Sequence, residues 1–267
     1  MSATTQNYWR DSALPFIELR STYGSVQSYK PHFHPQVSFG AVISGETLAT
    51  CEGRERVLTQ GDLVFIAPHV VHSCNPIEEQ PRSYHMLYVD EAWCLENAPV
   101  LCSDISVIRD SGLFAQYVEF VARLPEMDAT EAAAQLQRLL TVVVDGNAPE
   151  APLPQLRQPA ERIRQALLDS IDSPTTLDEL AEAFGCRKET LIRIFRRAYH
   201  ITPRAFVNNA RIERAKRQLK RGDEIAHVAA DLGFSDQAQL HRTFVSYTAS
   251  TPGQYRRARP PAINIRQ

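Results

Sequence analysis

The sequence predicts an α+β multidomain protein, with a small antiparallel β-barrel in the N-terminal half and an all-α domain in the C-terminal half. Three observations support this prediction. Residues 16–90 consist of short runs rich in Val, Ile, Phe and Tyr that are separated by turn residues. Residues 177–255 contain one helix–glycine–helix pattern twice. The 267 residues are enough for two hydrophobic cores.

The charge changes sign between the two halves. Residues 1–150 hold 9 Lys and Arg against 19 Asp and Glu, a net charge of −10, whereas residues 151–267 hold 20 against 12, a net charge of +8. A basic half joined to an acidic half indicates that the second domain binds a polyanion and that the first has another task.

The sequence favours a cytoplasmic location and no membrane partner. The five cysteines are odd in number and scattered, which is typical of reduced thiols. No apolar run approaches the ~18 residues of a membrane helix. The first residues, MSATTQNYWRDS, lack the apolar core of a signal peptide.

In chain order, residues 1–15 are expected to be a flexible arm and residues 16–100 the barrel. Ser44–Gly45 and Glu52–Gly53 suit hairpin turns. Consecutive short strands of this kind favour a small antiparallel barrel. The predicted strands are FIELR, VSFGAVISG, TLATCEG, RERVLTQG, DLVFIAP and YHMLYVD.

Two patterns in this half resemble the paired motifs of the cupin barrel. The N-terminal domain is therefore predicted to be a cupin-like β-barrel with flanking helices. PHFHPQ places His32 and His34 two residues apart, hence on one face of a strand. GDLVFIAPHVVHSCNP gives a turn glycine, a strand, a proline bend and His72. In metal cupins a carboxylate of the first motif joins such histidines, but here Pro35–Ser38 follow His34. The missing carboxylate argues against oxygenase chemistry.

Two roles stay open for these histidines. In one, His32, His34 and His72 bind zinc or nickel, with Cys74 or His85 completing the shell. In the other, they contact an organic effector at the mouth of an apolar pocket. Because side chains alternate along a strand, either Tyr84 or His85 faces the barrel interior. The candidate effector-binding residues are therefore His32, His34, His72, Tyr84 and His85.

Residues 101–146 are predicted to be a helical segment, with amphipathic helices at 111–125 and 130–146. These helices either cover the barrel or form a dimer contact. Residues 147–159 contain four prolines and little periodicity, and are expected to be the interdomain linker.

The C-terminal half contains the duplicated unit, at 177–199 and 225–248. Gly185 recurs as Gly233 at a spacing of 48, and Arg193 recurs as Arg242 at a spacing of 49. A short helix, a glycine at its end and a second amphipathic helix are the layout of a helix-turn-helix, whose second helix enters a DNA major groove. One copy also fits an ordinary helical bundle. Two copies with arginine at the same point favour DNA binding.

Two further helices are predicted from their end signals. Thr176 and Glu179 suit a capping box that begins the first unit. Residues 202–222 suit one long helix, since Pro203 fits its first turn and Gly222 its end. At 1.5 Å per residue such a helix is ~27 Å long. That length is close to the ~34 Å turn of DNA that separates two successive major grooves.

Residues 160–259 resemble the DNA-binding domain of AraC/XylS-type transcriptional regulators. The match rests on Leu180, Ala181 and Gly185, the run Leu191–Arg193–Phe195, Thr202–Pro203, and the stretches ARIERAKRQLKRG, IAHVAADLGFSDQAQLHRTF and TPGQYRR. The resemblance implies base contacts from Glu189, Ile192 and Arg193, and from Gln237, Ala238, His241 and Arg242. It also implies double-stranded operator DNA and a small-molecule effector as partners, with RNA polymerase and a second copy of the chain as further partners.

Other basic residues are expected to contact the DNA backbone or to lie beside the bases. Lys188 and Arg196 share the exposed face of the first reading helix, and Arg197 is expected to set general affinity through phosphate contact. Arg187, Arg204, Arg211 and Arg256 are further phosphate candidates.

We therefore expect a DNA-binding transcriptional regulator that is controlled by a small-molecule effector, and no enzymatic activity. One alternative is a metal-sensing regulator that uses His32, His34 and His72. The other is a cupin enzyme with a DNA-binding appendage, although no Ser/His/Asp or Cys/His constellation supports catalysis.

Overall fold

The structure is a computed structural model, and it describes residues 4–51, 53–98, 105–145, 158–171 and 175–257. The chain divides into two compact units, one formed by the strands with the first helices and one formed by the later helices. None of the described helices is both long enough and apolar enough to cross a membrane.

The first unit consists of two antiparallel sheets. A six-stranded sheet has the order β1-β2-β8-β3-β6-β9 and a three-stranded sheet has the order β5-β4-β7. The strands are β1 (Thr5–Trp9), β2 (Ile17–Ser25), β3 (Val37–Ser44), β4 (Thr47–Cys51), β5 (Arg54–Leu58), β6 (Leu63–Ile66), β7 (His72–Pro76), β8 (Arg82–Val89) and β9 (Ile105–Ile108). An apolar layer that includes Val42, Val64, Ala49 and Leu58 packs between the sheets. We call this inner side the barrel face.

Helices cover the opposite face of the large sheet. They are α1 (Glu91–Asn97), α2 (Ser111–Arg123) and α3 (Ala129–Asp145), with a 3-10 turn at Leu124–Glu126. Leu113, Tyr117, Phe120 and Leu136 of these helices belong to the same buried cluster as the strand residue Phe39. The Tyr117 hydroxyl also donates to the Phe39 carbonyl oxygen at 2.8 Å. Helices α2 and α3 therefore pack their apolar stripes against the sheet.

The expectation of a flexible arm at 1–15 is wrong for residues 4–15, the part of it that the structure describes. Residues Thr5–Trp9 pair with β2 in a regular antiparallel register, with Trp9 opposite Leu19. This stretch is rich in polar residues, but its last two side chains are buried. Because side chains alternate along a strand, Trp9 lies in the helix-covered core and Tyr8 on the barrel face.

Strands β7 and β9 were not predicted from the sequence. His72–Pro76 contains Ser, Asn and Pro, but it pairs along its length with β4. Ile105–Ile108 pairs with β6, so part of the segment 101–146 that was expected to be helical is a strand. In that segment residues 101–104 lie outside the described residues, as do residues 147–157 of the expected linker.

The second unit is helical. Its helices are α4 (Gln158–Asp169), α5 (Leu177–Ala183), α6 (Lys188–Tyr199), α7 (Pro203–Lys220), α8 (Ile225–Asp231), α9 (Gln237–Thr248) and α10 (Pro252–Arg256). Helix α4 begins at Gln158, inside the last two residues of the expected linker.

The predicted end signals of this unit are confirmed. Thr176 and Glu179 form both hydrogen bonds of a capping box at the start of α5. Gly185 and Gly233 have φ values of +61° and +68°, the left-handed conformation that glycine adopts at low cost. Helix α7 begins at Pro203 behind Thr202, whose side chain accepts a hydrogen bond from the Ala205 amide.

Candidate nucleic-acid interface and effector site

The two reading helices, α6 and α9, present matched surfaces. Leu191 and Leu240 are both fully buried, which fixes the rotation of each helix about its axis. Arg193 and Arg242, two positions further along, are both exposed. Residues 49 positions apart in the sequence therefore occupy the same face, buried or exposed, of the two helices.

The other predicted DNA-contact residues lie on these same helices. In α6, Glu189, Arg196 and Arg197 are exposed, while Lys188 and Ile192 are half-buried. The Lys188 ammonium group lies 2.8 Å from a carboxylate oxygen of Asp178 in α5. In α9, the exposed residues include Gln237, Ala238 and His241.

The two helices begin differently. Asp236 caps α9 and accepts a hydrogen bond from the Gln239 amide at 2.6 Å, while the Gln239 side chain accepts from the Ser235 amide at 2.7 Å. The residue that caps α6, Arg187, makes no side-chain cap bond. The start of α9 is therefore fixed by two reciprocal hydrogen bonds that α6 does not have.

The prediction that Arg211 contacts a DNA phosphate is wrong. Its guanidinium is buried, and its Nε and Nη2 both donate to the Ile171 carbonyl oxygen at 3.3 Å. Nη1 donates to the Gly233 carbonyl oxygen at 3.5 Å, and Cζ lies 6.0 Å from the centre of the Phe234 ring. Arg211 thus ties the end of α4 to the turn of the second helix-turn-helix unit.

In the first unit, the structure decides which side of β8 faces the barrel interior. Tyr84 lies opposite Thr22 and Val42, and Met86 packs against the apolar layer between the sheets. His85 is on the other face, where its Nδ1 is 2.9 Å from the Ser21 hydroxyl. Burial lowers the pKa of His85 to about 4, so that its imidazole is neutral at physiological pH.

His85 therefore has to be removed from the group of effector or metal candidates. The described residues place His32, His34 and His72 together, with one potential ligand atom from each within 4.8 Å of the others. That cluster contains neither Cys74 nor His85. Burial also raises the pKa of the Cys74 thiol to about 11, against the smaller effect of Arg82, which disfavours a thiolate ligand.

The three clustered histidines share one hydrogen-bonding pattern. Each Nδ1 lies 2.9 Å from a backbone carbonyl oxygen two residues away: Lys30 for His32, Gln36 for His34 and Val70 for His72. A carbonyl oxygen only accepts, so each Nδ1 carries a proton. In His34 the other ring nitrogen, Nε2, lies 3.1 Å from the Ser38 hydroxyl.

A layer of charged and aromatic residues on the barrel face was not predicted from the sequence. Arg20 lies opposite Tyr8 of β1 and Met86 of β8. Its Cζ is 5.6 Å from the centre of the Tyr8 ring and 5.5 Å from that of Tyr84. The Cζ of Arg82 is 5.5 Å from the same Tyr84 ring. Arg20 and Arg82 are only 4% and 1% exposed.

The carboxylate of this layer is Glu18. It is buried and lies 2.7 Å from Nε of Arg10. Burial and the nearby Glu18, Tyr8 and Tyr84 together raise the pKa of Tyr88 above its usual value, although Arg20 acts in the opposite direction. The sequence signal for this layer was the alternation of polar residues along β2. The neighbours of these residues depend on the pairing of β2 with β1 and β8, which the sequence does not reveal.

Comparison with known proteins agrees with both domains. A helix-turn-helix domain model matches residues 180–258, and a cupin domain model matches residues 22–88. The HTH-type transcriptional regulator YbfI of Bacillus subtilis is 26% identical over 243 residues, which cover 84% of this chain and 86% of YbfI. The HTH-type transcriptional regulator SAS0078 of Staphylococcus aureus is 40% identical over 93 residues, which cover 34% of this chain and only 12% of SAS0078.

Solved structures share the fold over almost the whole chain. ToxT from Vibrio cholerae O395 matches with a TM-score of 0.57 at 12% identity, covering 95% of this chain and 96% of ToxT. A ToxT structure with an unsaturated fatty acid bound, from strain SCE256, matches with the same TM-score and identity.

The fold and the sequence comparisons define a transcriptional regulator in which a cupin domain precedes a helix-turn-helix DNA-binding domain. Within that class, the repeat and motifs of the chain resemble those of AraC/XylS-type regulators, and the two domain models match the corresponding parts of the chain.

Proposed function

We propose that a small-molecule effector in the barrel controls how the helix-turn-helix domain binds operator DNA in the cytoplasm. The matched exposure of Arg193 and Arg242 on two equivalent helices supports sequence-specific binding by both units. Control requires that the effector and the DNA each bind two states of the protein with different affinities. Without such a difference, no signal passes between the two domains.

The positions of the side chains support a proposal of two kinds of DNA contact. Arg193 and Arg242 can each grip guanine O6 and N7 through two hydrogen bonds, and Gln237 can pair with adenine. Arg197 is exposed beside the reading face of α6, where a phosphate contact adds affinity without sequence information. The spacer α7 has 18 residues, a length of ~27 Å that suits two successive major grooves.

The test compares operator and scrambled DNA. An operator is first selected from a random duplex library with the full chain, and affinities are then measured by fluorescence anisotropy. Arg193→Ala should weaken operator binding by about 1–3 kcal/mol and scrambled DNA much less. Arg197→Ala, the matched control on the same helix, should weaken both equally. Equal losses on every sequence for Arg193→Ala would remove its specificity role.

A second candidate function is metal sensing, and the histidine cluster favours it. Metal-binding histidines usually donate one ring nitrogen to a carbonyl or carboxylate group and bind the ion with the other, which is the pattern that His32, His34 and His72 share. Three imidazoles with an open fourth position are a donor set that zinc accepts. These residues therefore fit a zinc or nickel ion, which would act here as the sensed ligand.

Elemental analysis decides between the two candidates. Protein purified without a nickel column should contain about one equivalent of zinc or nickel if the cluster is a metal site, and His34→Ala should lose it. Metal contents that are equal in both proteins, or negligible in the wild type, would leave the histidines as effector contacts.

A homodimer and RNA polymerase are further proposed partners. The apolar stripes of α2 and α3 pack on the sheet, so a homodimer would have to use their outer faces. RNA polymerase is the expected partner for activation. Catalysis by the barrel has the least support, because the first cupin motif lacks a carboxylate and the matched relatives are transcriptional regulators.

A further inference from the structure

The residues that precede the two reading helices differ in chemistry. Helix α9 begins behind Asp236 and α6 begins behind Arg187, which occupy the same place in the repeat, 49 residues apart. A carboxylate can accept a hydrogen bond from a backbone amide, whereas a guanidinium group can only donate one. Among the described residues, the first turn of α9 therefore has a side-chain cap at this place and the first turn of α6 does not.

Gln239 completes the cap of α9. Its backbone amide donates to a carboxylate oxygen of Asp236 at 2.6 Å, and its side-chain oxygen accepts from the Ser235 amide at 2.7 Å. Two such bonds in opposite directions are the arrangement of a capping box. At the equivalent place in α6, the Thr190 amide donates instead to the Arg187 carbonyl oxygen at 2.9 Å. The reciprocal pair is therefore a feature of the second unit.

The cap encloses residues of the reading surface. Gln237 and Ala238 form the first turn of α9, between the two capping residues, and both are exposed. His241 and Arg242 are exposed one turn further along. A first turn without its cap frays, and a frayed turn has to be ordered again when it binds. The cap therefore lowers the ordering cost of every base contact that this turn makes.

The capping residues themselves are poorly suited to hold the DNA backbone. Gln239 is half-buried, and its side-chain oxygen is already used by the Ser235 amide. Asp236 is exposed, but phosphates repel a carboxylate, and its hydrogen bond directs it towards the helix. Both residues are better placed to hold the reading helix than to hold the phosphates.

We propose that Gln239 and Asp236 are positioning residues that order the first turn of α9 for base readout before DNA arrives. This inference rests on the proposed base contacts of α9 and adds two residues that act through them. Sequence discrimination by the second unit then depends on a hydrogen bond in which no base takes part.

The experiment uses the full chain and an operator selected from a random duplex library. Base pairs at which Gln237→Ala or Arg242→Ala loses discrimination define the α9 half-site, and those at which Arg193→Ala does so define the α6 half-site. Discrimination is the ratio of the affinities, measured by fluorescence anisotropy, for the operator and for the operator substituted in one half-site.

Gln239→Ala should lower the ratio for the α9 half-site about threefold to tenfold, the weight of one helix cap, and leave the ratio for the α6 half-site unchanged. An unchanged ratio at the α9 half-site, or equal losses at both, would overturn the proposal. If Gln239→Ala does not fold, Gln239→Thr, which introduces the residue type of the first unit at this place, is measured with the same expectation.

A matched control separates positioning from a loss of stability. Thr176→Ala removes a side-chain cap from α5, a helix without a proposed base contact. It should lower the melting temperature and leave both ratios unchanged. If Thr176→Ala lowered the α9 ratio as much as Gln239→Ala, the effect would be one of stability and the positioning role would fail.

A conservative variant separates positioning from direct contact. Gln239→Glu keeps a side-chain oxygen that can accept from the Ser235 amide, so it should retain the wild-type ratio. The added charge weakens binding to every sequence, and a uniform loss cancels in the ratio. A ratio as low as that of Gln239→Ala would mean that the Gln239 amide nitrogen contacts a base itself, which contradicts the proposal.

The same measurements separate this inference from the proposed function. If the library yields no preferred sequence, or if Gln237→Ala and Arg242→Ala lose no discrimination, the proposed base contacts fail and the inference fails with them. If an operator is found and its α9 half-site is discriminated equally well by Gln239→Ala, only the inference fails.

Discussion

At the scale of single residues, His85 shows how burial turns an ordinary side chain into a pH-dependent element of stability. Its ring is buried on the helix-covered face, and desolvation lowers its pKa from 6.5 to about 4. The unfolded chain therefore gains a proton near pH 6.5, while the folded chain resists it until about pH 4. The stability that neutral His85 contributes is complete above pH 6.5 and is lost as the pH falls through this window.

His85→Gln should remove this dependence while it keeps a partner for Ser21. Between pH 7 and pH 4.5 the wild type should lose on the order of 2 kcal/mol more unfolding free energy than the variant. Both tryptophans of the chain, Trp9 and Trp93, belong to the first unit, so urea unfolding followed by tryptophan fluorescence reports this unit selectively. The control is His69→Gln at an exposed position. A pH-dependent loss in His85→Gln as large as in the wild type would contradict the assignment.

Arg211 gives a prediction that separates a structural role from DNA contact. Arg211→Gln should lower the unfolding free energy of the second unit by about 2–4 kcal/mol, because the Ile171 and Gly233 carbonyl oxygens lose a charged donor inside the domain. A calorimetric melt measures this loss. Arg217→Gln, at an exposed position of the same helix, should change stability by less than about 0.5 kcal/mol.

The salt dependence of DNA binding completes this test. Removal of a phosphate contact lowers the slope of log affinity against log salt by about 1. Arg211→Gln should leave the slope unchanged, whereas Arg197→Gln should lower it. A lower slope for Arg211→Gln would return Arg211 to the phosphate contacts.

Residue-scale prediction from sequence succeeded where the helical period fixes the facing, and failed where a strand register was needed. The exposure of Arg193 and Arg242 follows from the buried Leu191 and Leu240 on the same helices. The barrel-facing position of Arg20 does not follow from the sequence. The alternation of side chains leaves two possible faces, and the pairing with β1 and β8 selects one of them.

At the scale of elements, the two glycine turns are equivalent in conformation but not in surroundings. A Cβ atom added at Gly185 would have no neighbour within 4 Å, whereas one at Gly233 would lie 3.2 Å from Nη2 of Arg211. Gly185→Ala should therefore cost only the left-handed strain of about 1–2 kcal/mol. Gly233→Ala should cost more, because the Arg211 guanidinium must also move.

Thermal unfolding of the two alanine variants by calorimetry tests this order. The wild type and Gly112→Ala, whose glycine lies in the first turn of α2, serve as references. If Gly185→Ala were as destabilising as Gly233→Ala, the contact with Arg211 would have no energetic weight.

Element boundaries in the helical half could be predicted from sequence because caps, prolines and glycines define them locally. The capping box at Thr176 and the start of α7 at Pro203 depend on neighbouring residues only. In contrast, β1 and β7 are polar stretches that become strands through pairing with distant partners. Their sequences lack the β-branched runs that identify a strand in isolation.

At the scale of the whole molecule, the acidic and basic halves correspond to different tasks. The charge of +8 in residues 151–267 favours a polyanion, whereas the charge of −10 in residues 1–150 would repel one. This contrast supports a division in which one half binds DNA and the other binds a small ligand.

The duplicated unit makes a geometric prediction about operators. Helix α7 is a continuous spacer of 18 residues between the two reading units, so their separation is fixed rather than adjustable. Insertion of five base pairs between the two half-sites rotates one of them to the opposite side of the duplex, since a helical turn has about 10 base pairs. Affinity should then fall to that of a single unit, by at least about tenfold.

Fluorescence anisotropy on operators with inserts of zero, five and ten base pairs measures this effect. Arg242→Ala supplies the matched control, because a chain whose second unit has lost its main base contact should respond much less to the insertion. Ten added base pairs should also weaken binding, since a rod of ~27 Å cannot span two turns. If five base pairs were tolerated by the wild type, the two helices could not be reading adjacent grooves together. The repeat would then be a device for packing the domain, with one helix alone carrying the recognition.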